Sequence, residues 1–251
     1  MNAADAAKKT SQAWATLEEL SQRLVAGPFK GLRSVFAIGS LPGGYFRPQQ
    51  SDLDVVALFN DPAPTGEALT ALRASLAELT CAIKQSTDFE IECLLRFVSE
   101  LGRDLASGLL INPDLVARLK LQSHQLFGSY PVNILPMPSV EEWRQEASRF
   151  LSYWEAKTHQ DPTAFSSLPK QISKTLTLMR LYLAMHRNLL EYNKLKLPQR
   201  FEDSIPAVSL SAGSKAAIQT YLKTSEISQP ATARLQTELP EFQSQLIRVI
   251  L

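Results

Sequence analysis

Asp52 and Asp54 are the residues of this chain best placed to do chemistry. They stand one residue apart in Ser51-Asp52-Leu53-Asp54-Val55-Val56-Ala57-Leu58-Phe59, an apolar run that reads as a β-strand. Side chains alternate along a strand, so both carboxylates point one way while Leu53 and Val55 point the other. Two carboxylates pinned side by side repel each other, and the arrangement makes sense around a dication. Mg²⁺ suits it, because it prefers hard oxygen ligands and keeps positions open for phosphate oxygens. A further run, Asp88-Phe89-Glu90-Ile91-Glu92-Cys93, alternates acid with apolar residue. Its three acids are expected on one face of a third strand, where Glu90 or Glu92 would supply another carboxylate.

The run Ser34-Val35-Phe36-Ala37-Ile38 reads as the preceding strand and stops at Gly39-Ser40. Glycine lets backbone come close to a ligand. Amide N–H groups there, with the serine hydroxyl, can hold a polyphosphate. Gly43 and Gly44 lie in the proline-rich connection 41–50 and give it room to turn over the acids. Together these parts describe metal-assisted attack of an acceptor hydroxyl on a nucleoside triphosphate. One metal would clamp the triphosphate, a second metal or Glu90 as base would activate the acceptor, and pyrophosphate would leave. A lone Asp-x-Asp or Gly-Ser occurs on many solvated strands; the order of all the parts carries the reading.

The elements that must position these residues follow from periodicity. Residues 4–25 read as a helix with Trp14, Leu17 and Leu24 on one face, ended by Gly27-Pro28. Residues 66–84 read as another, with Leu69, Leu72, Leu76, Leu79 and Ile83 in one stripe. Residues 114–127 read as a third helix. Three prolines in 128–139 mark a boundary. Beyond it all is helical in pattern: 139–158 behind the N-cap signature of Ser139 and its acids, an apolar helix over 169–192, then 212–223 and 230–250. Trp143 and Trp154 are three turns apart and are expected on one face.

The totals set limits. The chain has 251 residues, 45% of them hydrophobic and 20% charged, an ordinary globular composition. A net charge of +1 gives no general field to draw in nucleic acid, so DNA or RNA is not expected as a partner. Cys81 and Cys93 offer neither metal-site spacing nor a disulfide framework, and read as reduced thiols. The N-terminal stretch lacks the apolar core of a secretory signal, and no apolar run approaches a membrane span. A cytoplasmic protein without membrane contact is therefore expected; the oligomeric state is not legible.

Gly39-Ser40, a spacer, then Asp52-Leu53-Asp54 inside a strand resembles the signature of the nucleotidyltransferase superfamily that includes DNA polymerase β. Within it the sequence is most similar to the streptomycin/spectinomycin adenylyltransferases, which modify aminoglycosides. Gly43-Gly44-Tyr45-Phe46-Arg47-Pro48 before Ser51-Asp52 is similar to that family's Gly-Gly-x-Lys-Pro before Ser-Asp-Ile-Asp, with one residue more. Phe89-Glu90-Ile91-Glu92 resembles its Leu-Glu-Val-Thr strand. The segment 120–128 and the helix Leu176-Thr177-Leu178-Met179-Arg180 have counterparts as well. The resemblance implies an α+β fold, with a nucleotidyltransferase-type mixed β-sheet domain over 1–138 and an all-α helical bundle over 139–251. It implies that Gly39, Ser40 and Ser51 hold the triphosphate of ATP, and that Asp52, Asp54 and Glu90 bind Mg²⁺, with Glu90 as catalytic base. It implies that Arg180 and a following lysine, Lys194 or else Lys196, reach the phosphates. The acceptor would be a small-molecule hydroxyl, with an aminoglycoside leading and antibiotic resistance as the consequence.

The sequence departs from that family on the acceptor side. The tryptophan that follows the third strand has no counterpart in 96–110, and the acidic drug-binding residue has no clear match, Glu155 and Asp161 being the nearest acids. Two other readings stand beside this one: transfer to a protein or a tRNA end, as in toxin–antitoxin nucleotidyltransferases, and a non-catalytic nucleotide-binding module. Arg180 and His186 also fit the loose R-x5-H motif of HEPN ribonucleases, but Leu181 is not the polar residue expected after the arginine. A helix-surface or satisfied histidine is the plainer account of His186, and for Arg180 a snorkelling arginine at the helix edge stands beside the phosphate clamp. His124 and His159 stand alone, without metal spacing.

Overall fold

Alternating and continuous apolar runs fold into a four-stranded sheet, followed along the chain by a set of helices. The computed structural model describes residues 3–48, 50–204, 206 and 208–251. Met1 and Asn2 of the N-terminal stretch and Gln49 of the glycine-rich connection lie outside the described residues. The chain divides into two compact units, Met1–Pro138 and Ser139–Leu251.

In the first unit the order is α1 (Ala3–Ala26), β1 (Leu32–Ile38), β2 (Leu53–Phe59), α2 (Gly66–Gln85), β3 (Ile91–Phe97), α3 (Pro113–Leu121) and β4 (Ser123–Gly128). The sheet order is β3-β2-β1-β4. β1 runs antiparallel to both β2 and β4, and β2 runs parallel to β3. Both faces of the central strands are covered. On one side Leu17, Leu20 and Leu24 of α1 and Leu76 and Ile83 of α2 pack on Val35, Val55, Ala57 and Phe59. On the other, Leu115, Val116 and Leu119 of α3 pack on Phe36, Ile38, Val56 and Leu58. Two-sided burial explains why β1 and β2 read as unbroken apolar runs. Each fully buried side chain of this kind stabilises the unit by about 1.5–3 kcal/mol.

The fold is α+β with a mixed sheet, as expected, and one element differs. The stretch 114–127 is not one helix: α3 stops at Leu121, and β4 follows directly. β4 is an edge strand with mostly exposed side chains, so burial imposes no period-two pattern on it. The third strand also starts later than its acids suggest, at Ile91.

The second unit contains α4 (Val140–Gln160), α5 (Pro162–Ser166), α6 (Leu168–Arg187), α7 (Leu197–Asp203), α8 (Ala212–Thr224) and α9 (Gln229–Ile250). Ser139 and Glu142 form a capping box at the start of α4. Trp143 and Trp154 are both buried on that helix. α6 ends at Arg187, five residues before the expected end, because Asn188 takes the left-handed conformation that closes a helix (φ 50°). In the core Gln243 is buried, and its amide donates to Thr175 Oγ1 at 2.9 Å and to the Gln171 carbonyl at 3.1 Å. Among the described residues, no helix is long and apolar enough to cross a membrane.

Candidate active site

The antiparallel register of β1 on β2 places Ile38 opposite Asp54. Gly39 follows at once, with φ +85°. A β-carbon on Gly39 would stand 2.7 Å from Asp54 Oδ2. Glycine is therefore required twice, by its backbone conformation and by the carboxylate lying against it. Asp54 is half-buried and Asp52 is exposed.

The turn after Gly39 is closed by backbone bonds: Gly43 N–H to the Gly39 carbonyl at 3.0 Å, Tyr45 N–H to the Ser40 carbonyl at 3.0 Å, and Gly44 N–H to the Leu41 carbonyl at 3.2 Å. This pattern leaves the amides of Ser40 and Leu41, and the Ser40 hydroxyl, without partners among the described residues. Two successive unengaged amides beside a serine hydroxyl can cradle an anion. Gln122, at the end of α3, braces the turn twice. Its carbonyl accepts from Gly39 N–H at 3.3 Å, and its side-chain oxygen accepts from the Tyr45 hydroxyl at 2.8 Å. Ser51 closes a second turn instead of standing open: its N–H donates to the Arg47 carbonyl at 2.8 Å and its hydroxyl accepts from Arg47 N–H at 3.1 Å. Burial lowers the pKa of the Arg47 guanidinium, and its Nη1 is buried without a hydrogen-bond partner among the described residues.

The acids of the third strand differ in their pairing. Asp88 pairs with Lys9 at 2.6 Å, and that hydrogen bond and charge hold its carboxyl below the usual range. Glu90 pairs with Lys84 at the end of α2. Its backbone still extends the ladder, accepting from Leu53 N–H at 2.8 Å, which sets it beside Asp52. Glu92 lies within β3, exposed, in register with Asp54. All three acids are exposed while Phe89 and Ile91 between them are buried, as the alternation requires; only Glu92 lies within β3, and Lys9 and Lys84 pair with the two acids that precede it. Among the described residues, no three His, Cys, Asp or Glu side chains are gathered as a metal cluster. The donors that fit a hard dication are Asp52 and Asp54, hard oxygens on one side of a strand with the Gly39 backbone against Asp54.

The remaining candidates are placed as follows. Arg180, on α6, lies over the Tyr192 ring with its guanidinium carbon 5.0 Å from the centroid. Lys194 is exposed in the segment between α6 and α7. His186 stacks on Tyr182 at 4.7 Å between ring centroids, and His124 meets Trp14 edge-on at 5.1 Å. Asp161 caps α5 by accepting from Ala164 N–H at 2.9 Å, and Glu155 sits 4.0 Å from His159. Cys93 is a core thiol whose pKa burial pushes up to about 12. Gln122 and Arg47 were not singled out by the sequence. For Arg47 a signal existed, since it occupies the place of the lysine in Gly-Gly-x-Lys-Pro.

Among solved structures, the spectinomycin adenyltransferase AAD(9) of Enterococcus faecialis, crystallised with ATP and spectinomycin, is similar to this chain over 94% of its length and 98% of the other chain. The TM-score is 0.61 and the sequence identity 15%. Two toxin–antitoxin structures, one with AMP-PNP and one a mutant of MntA–HpeT, match 59% of this chain and 94% of theirs, at 16% and 15% identity. Their TM-score of 0.31 is too low to carry an argument. No protein-family model matches the chain, and no curated protein matches it. The fold is thus similar to that of this adenyltransferase, a mixed sheet followed along the chain by helices. The likeness read from the Gly-Ser and Asp-x-Asp segments holds at the level of the fold.

Proposed function

We propose that this protein is a Mg²⁺-dependent nucleotidyltransferase that moves AMP from ATP to a hydroxyl of a small molecule. The observation that carries the reading is the contact of Gly39 with Asp54, at the end of a strand pair in an adenyltransferase-like fold. It joins a turn with unengaged amides to a pair of carboxylates.

In this reading Asp52 and Asp54 hold Mg²⁺, which when bound would draw charge off the triphosphate oxygens and ease departure of pyrophosphate. The amides of Ser40 and Leu41 and the Ser40 hydroxyl bind phosphate oxygens, and Gln122 keeps the turn in shape. Ser51, in the second turn that it closes with Arg47, belongs to the proposal as a further triphosphate ligand. Glu90 takes the proton of the acceptor hydroxyl once Lys84 releases it, with Glu92 the other carboxylate within the strand. Arg180 and Lys194 belong to the proposal as further phosphate ligands. Residues 1–138 would form the nucleotidyltransferase domain and 139–251 its helical companion, in a cytoplasmic enzyme. An aminoglycoside is the leading acceptor, because spectinomycin accompanies ATP in the similar structure. Antibiotic resistance would then follow.

The test is incubation with Mg²⁺ and α-labelled ATP, with streptomycin or spectinomycin beside a cell extract, and an Asp52→Ala control. Label on the drug that is absent from the control supports the reading. Label on a protein or RNA band moves the acceptor to a macromolecule. Failure to label anything, with no consumption of ATP or another nucleoside triphosphate, contradicts it.

A further inference from the structure

The helical unit contains a cavity of about 650 Å³ that no part of the proposed transfer reaction uses. The volume lies in the range of small-molecule sites. Leu168 of α6 and Leu235, Leu239 and Ile247 of α9 form its apolar wall. Gln171 and Gln243 also line it, but their amides are committed: Gln243 donates to Thr175 and Gln171, and Gln171 donates to the Phe165 carbonyl at 2.6 Å. The remaining charged groups in the lining are Lys174 and Arg248, both cations. Neither makes an ion pair among the described residues, and no Asp or Glu lines the cavity. Lys174 is half-buried, with its ammonium 5.6 Å from the centre of the Trp154 ring.

We propose that this cavity binds a small organic monoanion with an apolar body, such as a medium-chain carboxylate. The apolar wall takes the hydrocarbon, and the carboxylate sits against the Lys174 ammonium, with Arg248 at the exposed rim. Burial lowers the pKa of Lys174, the mark of an ammonium short of solvation that an incoming carboxylate would restore. A polycationic aminoglycoside does not suit the site, since it would meet two cations and no acid. The proposal stands apart from the transfer reaction, and either can fail alone.

Decanoate is the probe, with 1-decanol as its neutral counterpart. Each is titrated into the full chain while tryptophan emission is followed, because Trp154 lies beside Lys174. Decanoate is expected to give a saturable change. The apparent Kd should rise at least tenfold in Lys174→Gln and recover in Lys174→Arg. Ser244→Phe, at an exposed lining position, should remove binding by filling the space. 1-Decanol should bind Lys174→Gln as well as the unaltered chain. Should Lys174→Gln lower the melting temperature, Arg248→Gln at the exposed rim carries the same comparison. No saturable binding of decanoate by emission and calorimetry, or equal affinity in Lys174→Gln or a correctly folded Ser244→Phe, overturns the proposal.

Discussion

The two units differ in where their backbone amides and hydroxyls stand open. In the sheet unit, the turn after β1 leaves two amides and a hydroxyl unengaged beside Asp54, at the point where buried strands reach solvent. In the helical unit, several polar groups at helix starts and in the core are used up internally, although Glu202 Oε1 is buried without a hydrogen bond among the described residues. Glu142 accepts from Ser139 N–H at 2.7 Å, Gln243 ties α9 to α6, and Glu238 accepts from the Ser211 amide and from the hydroxyls of Ser211 and Ser214. A buried polar group without a partner costs about 1–3 kcal/mol, so a fold keeps few of them. The contrast teaches where a ligand would complete hydrogen bonding and where side chains already do so. Substitutions should then cost activity in one unit and stability in the other.

The largest effect is expected at the carboxylate pair. Asp54→Ala and Asp52→Ala should each lower kcat/KM for transfer by at least about three orders of magnitude, the scale of losing transition-state charge stabilisation. Circular dichroism melting should meanwhile show little change for exposed Asp52. Unaltered turnover in both would break the comparison. Next comes the base. Glu90→Gln should cost about 10²–10⁴-fold in kcat if Glu90 takes the proton. The same loss in Glu92→Gln, with Glu90→Gln near normal, would move that role two residues on, into β3.

Gly39→Ala sharpens the comparison because it should register on both scales. Its left-handed backbone costs a non-glycine residue about 1–2 kcal/mol, and its new methyl meets the Asp54 carboxylate. Stability and ATP affinity should fall together. Ser139→Ala belongs wholly to the helical side. Loss of the N-cap should lower stability by about 1 kcal/mol in chemical denaturation, with the KM for ATP unmoved.

The smallest effect concerns acid. Burial pushes the Glu238 carboxyl up, but hydrogen bonds from Ser211 and Ser214 and the charge of Arg234 more than offset this, and its pKa ends below the ordinary value. A depressed folded pKa contributes stability above the unfolded pKa, and that contribution is lost as pH falls through the folded one. Glu238→Gln should therefore be less stable than the unaltered chain at neutral pH. The gap should close as the solution is made acidic through the carboxylate range, read from melting temperatures at each pH.

Much of the sheet was legible because burial on both faces writes a continuous apolar run, and because glycine or proline ends each one. β1 and β2 follow directly from that, and α2 from its single apolar stripe. β4 was not legible: its side chains face solvent, and Ser123–Gly128 carries no alternation to distinguish it from the helix before it. At the site, Gly39, Ser40, Asp52 and Asp54 are neighbours across one hairpin, so their order in the chain announces them. Gln122 could not be found this way. It reaches Tyr45 across 77 positions of sequence, and nothing near it in the chain hints at the contact. Glu90 was found, but not its pairing with Lys84, which depends on how α2 ends beside the start of β3. Arg47 was readable as a motif residue, yet its burial depends on how the connection packs.

The central claim is that the Gly39-Ser40 turn and the Asp52–Asp54 pair form one nucleotide site. Isothermal titration of ATP with Mg²⁺ into the unaltered chain and into Asp54→Ala tests it most directly. The account predicts saturable binding with one nucleotide per chain, lost in Asp54→Ala and weakened when Mg²⁺ is withheld. Binding that is equally tight in Asp54→Ala, or no binding of any nucleoside triphosphate by the unaltered chain, would contradict it.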